Sequence, residues 1–256
     1  MLIDTHCHLD DRSLLSRLPA VLSAAHAAGV ERFIVPGVAP EGWEVIARLA
    51  DAHDGVYPAC GLHPMAADRF EEALPERLRP FARRGVAIGE IGLDYLITDI
   101  PRERQQAVFR AQLRLAVEMD LPVLIHCRRA FRDLLDILGA EHAGRTGGVM
   151  HAFSGSPEIA RECIDLGFLI SIAGTVTYAN AVRPLEIVRH IPLDFLVLET
   201  DAPDMTPEPH RGGPNEPAFL VEIARKIAGI KGISVEEVAL VTSANAERLF
   251  HLERRG

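Results

Sequence analysis

The chain opens MLIDTHCHLDD (residues 1–11), a short apolar run that ends in His6 and His8. Residues 2–5 read as a buried strand, and the two histidines stand just past it. On an extended chain residues i and i+2 face the same way. Both imidazoles can therefore reach one metal ion while Cys7 points away. After this strand the spacing changes: Leu14, Leu18, Val21, Leu22 and Ala25 recur at helical period over 13–28, and Gly29 follows as a stop signal.

The same pair of patterns repeats to the end of the chain. Apolar strands are expected at 31–36, 56–61, 86–91, 121–126, 148–151, 168–172 and 195–199. Helices are expected between them at 41–53, 71–84, 101–119, 131–138, 157–166 and 182–190, and two more close the chain at 217–230 and 234–249. Pro101 stands near the start of its helix, where proline is favoured. Eight near-continuous apolar strands, each followed by a helix, point to a parallel α/β fold with both sheet faces covered. The length of 256 residues matches the roughly 250 of a (β/α)8 TIM barrel. No Gly-x-Gly-x-x-Gly follows the first strand, which argues against a dinucleotide-binding, doubly wound sheet. There is no linker, low-complexity run or internal repeat, so residues 1–256 are expected to form a single domain.

A net charge of -9 gives no global attraction for nucleic acid or an anionic membrane, so a phosphate substrate has to be drawn in locally. Cys7, Cys60, Cys127 and Cys163 are scattered with no CxxC pair and read as reduced thiols of a cytosolic protein. No signal peptide is recognised, and no apolar run approaches the roughly 20 residues of a membrane span.

The polar residues fall where the apolar strands stop. His6 and His8 end the first strand, His63 the third, Glu90 the fourth, His126 the fifth and His151 the sixth; Glu199 and Asp201 end the eighth. A closed barrel gathers all strand C-termini around one mouth, so these distant residues are expected to converge. Imidazole and carboxylate ligands suit Zn, Mn, Fe or Co, with Mg possible where oxygen dominates. The set His6, His8, Glu90, His126, His151 and Asp201 exceeds the three protein ligands of one catalytic metal. It is better used by two divalent ions (Zn, Mg or Mn) sharing a carboxylate. His26, His53, His142, His190, His210 and His251 are expected to be ordinary surface or core residues.

The order of these motifs resembles the TatD family of metal-dependent hydrolases, a branch of the amidohydrolase-like barrels. The stretches that carry the resemblance are IDTHCHLD (3–10), GLHP (61–64), GEIGLDY (89–95), LPVLIHCR (121–128), HAFSGS (151–156), LETDAP (198–203) and NEP (215–217). The resemblance implies a deoxyribonuclease that removes nucleotides from DNA ends, single-stranded or frayed; some members act on other phosphodiesters or esters. It places His6, His8, Glu90 and Asp201 at one metal and Glu90, His126 and His151 at the other. Glu90 would bridge the two, and Asp201 would orient and deprotonate the attacking water. Two positions depart from the family pattern. Arg211-Gly212-Gly213-Pro214-Asn215 lacks two cations that many family nucleases carry there, and Leu96 stands where a second aromatic is common.

Further roles are expected around this centre. Arg128 would grip a substrate phosphate through its planar fork, and His63 could be a ligand, a substrate contact or a hydrogen-bond donor to a ligand, the last two being favoured. Asp94 and Glu199 would orient ligands by hydrogen bonds, with a helix cap as the other use of Asp94. Tyr178 and Phe153 follow barrel strands and could stack on a base, and packing explains each about as well. Two rival functions use the same residues: an amidohydrolase or esterase acting on a lactone or aminoacyl ester, and a non-catalytic module with a structural metal. No membrane and no obligate protein partner are expected.

Overall fold

Strands and helices alternate along the computed structural model, which describes residues 1–252. The strands are β1 (Leu2–Asp4), β2 (Val30–Pro36), β3 (Val56–Ala59), β4 (Ile88–Asp94), β5 (Val123–Arg128), β6 (Gly148–Met150), β7 (Phe168–Ile172) and β8 (Leu196–Leu198). All pair in parallel, in two runs, β1-β2-β3 and β4-β5-β6-β7-β8. Backbone bonds join the runs into a closed barrel. Val86 and Gly89 donate to Pro58 and Cys60 at 3.0 and 3.2 Å across one seam, and Thr5 donates to Leu198 at 3.0 Å across the other. The first seam is tight: a Cβ on Gly61 would lie 2.7 Å from the carbonyl carbon of Gly89. The fold is the (β/α)8 TIM barrel expected from the sequence.

One apolar layer explains where the polar ends point. Ile3, Ile34, Ala59, Ala87, Leu124, Val149, Leu169 and Val197, one from each strand or its entry, pack together with Ala246, Phe250 and Leu252. Burying each large aliphatic side chain contributes about 1.5–3 kcal/mol. Side chains alternate along a strand. Two residues beyond Leu124, Val149 and Val197, the same inward face is therefore occupied by His126, His151 and Glu199. On β4 the register with β5 shifts between Ile88 and Ile91, and Glu90 lies within that irregularity.

The helices are α1 (Arg12–Leu15), α2 (Leu18–Ala27), α3 (Pro40–Ala52), α4 (Leu74–Ala82), α5 (Arg102–Met119), α6 (Phe131–Ala140), α7 (Pro157–Asp165), α8 (Arg183–His190), α9 (Leu220–Lys231) and α10 (Val235–Phe250). The helix expected over 13–28 is two. Pro19 occupies the first turn of α2, where its missing N–H is harmless, and in a continuous helix it would remove an interior bond. Asp11 caps α1 by accepting from the amide of Ser13 at 2.8 Å. The helix expected over 71–84 shortens to α4, and a 3-10 helix, Pro64–Arg69, precedes it. Pro217–Phe219 is likewise a 3-10 turn before α9. Several strand ends also differ. Glu90 and His126 lie within β4 and β5 rather than at their ends, and His63 stands beyond β3 as the N-cap of the 3-10 helix. No helix among the described residues is long and apolar enough to cross a membrane.

Candidate metal centre

Glu90 stands at the middle of the site and uses its two oxygens in different directions. Oε2 lies 3.3 Å from His6 Nε2, while Oε1 lies 2.9 Å from His126 Nδ1 and 3.7 Å from His151 Nε2. Asp201 Oδ1 faces the other side, 3.7, 3.8 and 3.6 Å from the Nε2 atoms of His6, His8 and His151. All six residues proposed from the sequence as ligands thus meet in one place. The i, i+2 argument holds for His6 and His8; the intervening Cys7 is buried, with Sγ 4.0 Å from the carbonyl of Ile34. All four cysteines are free and buried.

The remaining polar partners hold these groups in place. Glu199 Oε1 accepts from the amide of Ala152 at 2.5 Å and lies 3.1 Å from His151 Nδ1. Asp94 Oδ2 lies 3.2 Å from His126 Nε2, while its Oδ1 accepts from the Leu96 amide at 2.9 Å. Asp94 therefore both contacts the histidine and caps a turn. Asp4, unremarked in the sequence, joins β1 to the segment after β8. Its Oδ1 accepts from the amides of Thr200 and His6 at 2.9 and 3.3 Å, and its Oδ2 accepts from the Thr200 hydroxyl. Asn215 Nδ2 donates to the carbonyls of Thr200 and Asp204 at 2.8 and 2.6 Å. The Leu-Ile-Asp and Asn-Glu-Pro stretches are the signals that could have pointed to Asp4 and Asn215, each a polar residue beside an apolar run or a proline.

The donor set fits bound cations. Burying carboxylates and imidazoles without partners is costly, yet Nδ1 of the fully buried His6 and Oε2 of Glu199 have no hydrogen-bond partner, and His6 Nε2 and His151 Nδ1 face only the carboxylates of Glu90 and Glu199 at 3.3 and 3.1 Å. Among the described residues, His6–His8–Glu90, His6–His151–Glu199 and His63–Glu90–His126 each bring three donor atoms close enough for one ion. The histidines respond differently to this environment. Burial, aided by neighbouring His151, lowers His6 to about 4. Burial also lowers His63 to about 4. For His126, burial is outweighed by the bonds to Asp94 and Glu90, which push it up to about 9. For His151, burial is outweighed by the charges of Glu199, Asp201 and Glu90, which push it up to about 10. Burial raises Asp201 to about 6. Glu90, despite burial, is held well below the carboxylate range by the surrounding imidazoles.

His63 is constrained differently from the rest. Its Nδ1 accepts from the backbone amide of Met65 at 3.1 Å. A backbone N–H can only donate, so the neutral ring carries its proton on Nε2. That Nε2 lies 3.5 Å from Glu90 Oε1. The ring thus presents an N–H to the site, which suits hydrogen bonding and not ligation. A cavity of about 540 Å³ opens over the centre, lined on its rim by Asp10, Met65, Arg128, Ser154, Asp204 and Met205. Arg128 is the one lysine or arginine among the described lining residues. Phe153 is buried, packed against Phe131 with ring centroids 5.3 Å apart, so its ring is not free to stack on a base. Tyr178 is half-buried, with the guanidinium of Arg211 over one face, 4.2 Å from the ring centroid.

Proteins similar to this chain are known. A family model described as TatD related DNase matches residues 3–251. The chain is 42% identical over 254 residues to an uncharacterized metal-dependent hydrolase of Bacillus subtilis, YabD, covering 98% of this chain and 100% of that protein. It is 39% identical over 257 residues to another, YcfH of Escherichia coli, covering 98% and 96% of the two chains. Among solved structures, the TatD homologue YjjV of Escherichia coli superposes with a TM-score of 0.93 at 36% identity, covering 98% of each chain.

Proposed function

The chain belongs to the TatD family of metal-dependent hydrolases, and from that premise we propose that it is a deoxyribonuclease that cleaves nucleotides from single-stranded or frayed DNA ends with two divalent cations. The observation that carries the reading is the splayed use of Glu90, whose Oε2 faces His6 and whose Oε1 faces His126. A carboxylate so placed can hold an ion on each side. His6, His8, Glu90 and Asp201 would hold one; Glu90, His126 and His151 would hold the other. When bound, such ions supply Lewis acidity that lowers the pKa of water and stabilises charge on phosphoryl and leaving oxygens.

The side chains do the rest. Asp201 accepts the proton of the attacking water. His63 donates its Nε2–H to a substrate oxygen, in the tautomer that the Met65 amide selects. Arg128 binds the scissile phosphate at the rim, where its fork can engage two oxygens. Glu199 and Asp94 hold the rings of His151 and His126 in orientation.

A 3′- and 5′-labelled single-stranded oligonucleotide, digested by metal-stripped protein with Mg, Mn or Zn restored separately, tests the reading. Nucleotides released one at a time from one labelled end, only after metal is restored, are expected. One observation favours a second reading, an esterase for a small substrate: Asp10, Asp11 and Asp204 line the cavity against the single cation Arg128. A parallel panel of lactones and aminoacyl esters decides between the two. Turnover of these alone would replace the nuclease assignment.

A further inference from the structure

Gln105 and Gln112 are buried on α5, 0% and 1% exposed, within the stripe of Val108, Phe109, Leu113 and Ala116. Seven residues make nearly two helical turns, so the two amides share one face. A buried amide is costly unless its oxygen and nitrogen both find partners, and both glutamines meet this demand in the same way. Gln112 Oε1 accepts from the amide of Leu62 at 2.7 Å, and its Nε2 donates to the carbonyl of Leu62 at 3.0 Å. Gln105 Oε1 accepts from the amide of Asp94 at 2.9 Å, and its Nε2 donates to the carbonyl of Asp94 at 3.0 Å. Each side chain clamps one residue at both its N–H and its C=O, as a neighbouring strand would.

Both clamped residues lie where the sheet is running out. Leu62 is beyond the end of β3 and immediately precedes His63; Asp94 is the last residue of β4 and contacts His126 Nε2 at 3.2 Å. We propose that Gln105 and Gln112 are positioning residues through which α5 sets the two sides of the site separately. Gln105 fixes the Asp94–His126 pair and so the ion on the His126 side of Glu90. Gln112 fixes the His63 donor and leaves both ions unaffected. The inference rests on the reading above, that His126 is a ligand and His63 a hydrogen-bond donor to substrate.

The test uses the full chain with Gln105→Leu, Gln112→Leu and the core control Leu113→Ala. Affinities for Mn and Zn are measured by chelator competition, kcat and KM on bis(p-nitrophenyl) phosphate, and Tm alongside. Gln105→Leu is expected to weaken one of two ions by about tenfold to a hundredfold, as loss of a group orienting a ligand does. Gln112→Leu is expected to keep both affinities and lose kcat about tenfold or more, from a misplaced donor. Leu113→Ala is expected to lower Tm without either change. The same changes in the control, or unchanged ion affinity in Gln105→Leu, or unchanged kcat in Gln112→Leu, would overturn the proposal. If the leucine variants fail to fold, Gln105→Glu and Gln112→Glu, which keep the acceptor and lose the donor, are judged by the same outcomes. His126→Ala separates the two levels. Loss of an ion there but not in Gln105→Leu overturns the clamp alone; loss in neither overturns the ligand reading and the inference with it.

Discussion

The backbone amide of Asp201 donates to the carbonyl oxygen of His6 at 2.9 Å. This bond lies beyond the last ladder of the barrel seam and joins two residues proposed to hold the same ion. It also allows Asp201 to be altered cleanly. Asp201 has φ of 56°, a left-handed conformation that asparagine tolerates as well as aspartate.

Asp201→Asn should therefore keep the backbone bond and the fold, remove the proton acceptor, and leave a neutral, weaker ligand oxygen at the ion. The expected result, at ion concentrations shown by elemental analysis to load the variant as fully as the parent, is a kcat lower by about a hundredfold or more. A variant with full turnover would take Asp201 out of the proton-transfer role.

The seam itself is held by Thr200 and Asp4. Thr200→Val keeps the side-chain shape, but the buried Asp4 Oδ2 loses its hydroxyl donor and the Ala202 amide, now 3.2 Å from Thr200 Oγ1, loses its acceptor. Stranding two buried groups costs about 2–4 kcal/mol. Urea unfolding of the metal-free chain should show a lower midpoint with an unchanged slope. A midpoint that does not move would mean the network contributes nothing to stability.

The site was legible in the sequence to the extent that its residues follow apolar strands. His126, His151 and Glu199 each stand two positions beyond a residue of the inner layer, so strand alternation alone aims them inward. The strand ends were less legible, because Glu90 sits in a register shift that no composition signals. Pro19 was the readable sign that one helix is two. Gln105 and Gln112 were missed although both interrupt the apolar stripe of α5; their meaning depends on which backbone lies opposite, and that is a tertiary fact. Of the two aromatic rings, Phe153 is buried against Phe131, while Tyr178 is half-buried with the Arg211 guanidinium on one face.

Gly92 shows how closely β4 and β5 approach at the site. Its φ is +148°, and an added Cβ would lie 1.9 Å from the carbonyl oxygen of its strand partner His126. Backbone cannot yield as a flexible side chain can, so Gly92→Ala must separate the strands. A loss of about 3 kcal/mol or more in stability is expected, together with weaker binding of the ion next to His126. Parent-like Tm and Mn affinity would show that the strands part without consequence.

Metal uptake should release protons, and the histidine environments say how many. In the ion-free chain the carboxylates hold His126 at about 9 and His151 at about 10, so both rings are protonated at pH 7, whereas His6 at about 4 is already neutral. A ligating imidazole must be neutral. Loading at pH 7 should therefore displace about two protons per chain. Apparent affinity should rise with pH from 7 and level off once pH passes about 10, and below pH 7 protonation of Asp201, raised to about 6, should weaken it further. The stability of the ion-free chain runs the other way. Both raised pKa values mean that the protonated rings stabilise the fold fully below the ordinary histidine range near 6.5, and this contribution is lost as pH rises through about 9 and 10. Calorimetric titration with Mn at pH 7 in buffers of different ionisation enthalpy counts the protons directly. His151→Gln should release about one fewer. No buffer dependence in the parent would mean that the ions bind without displacing these protons, and the two rings would lose their place as ligands.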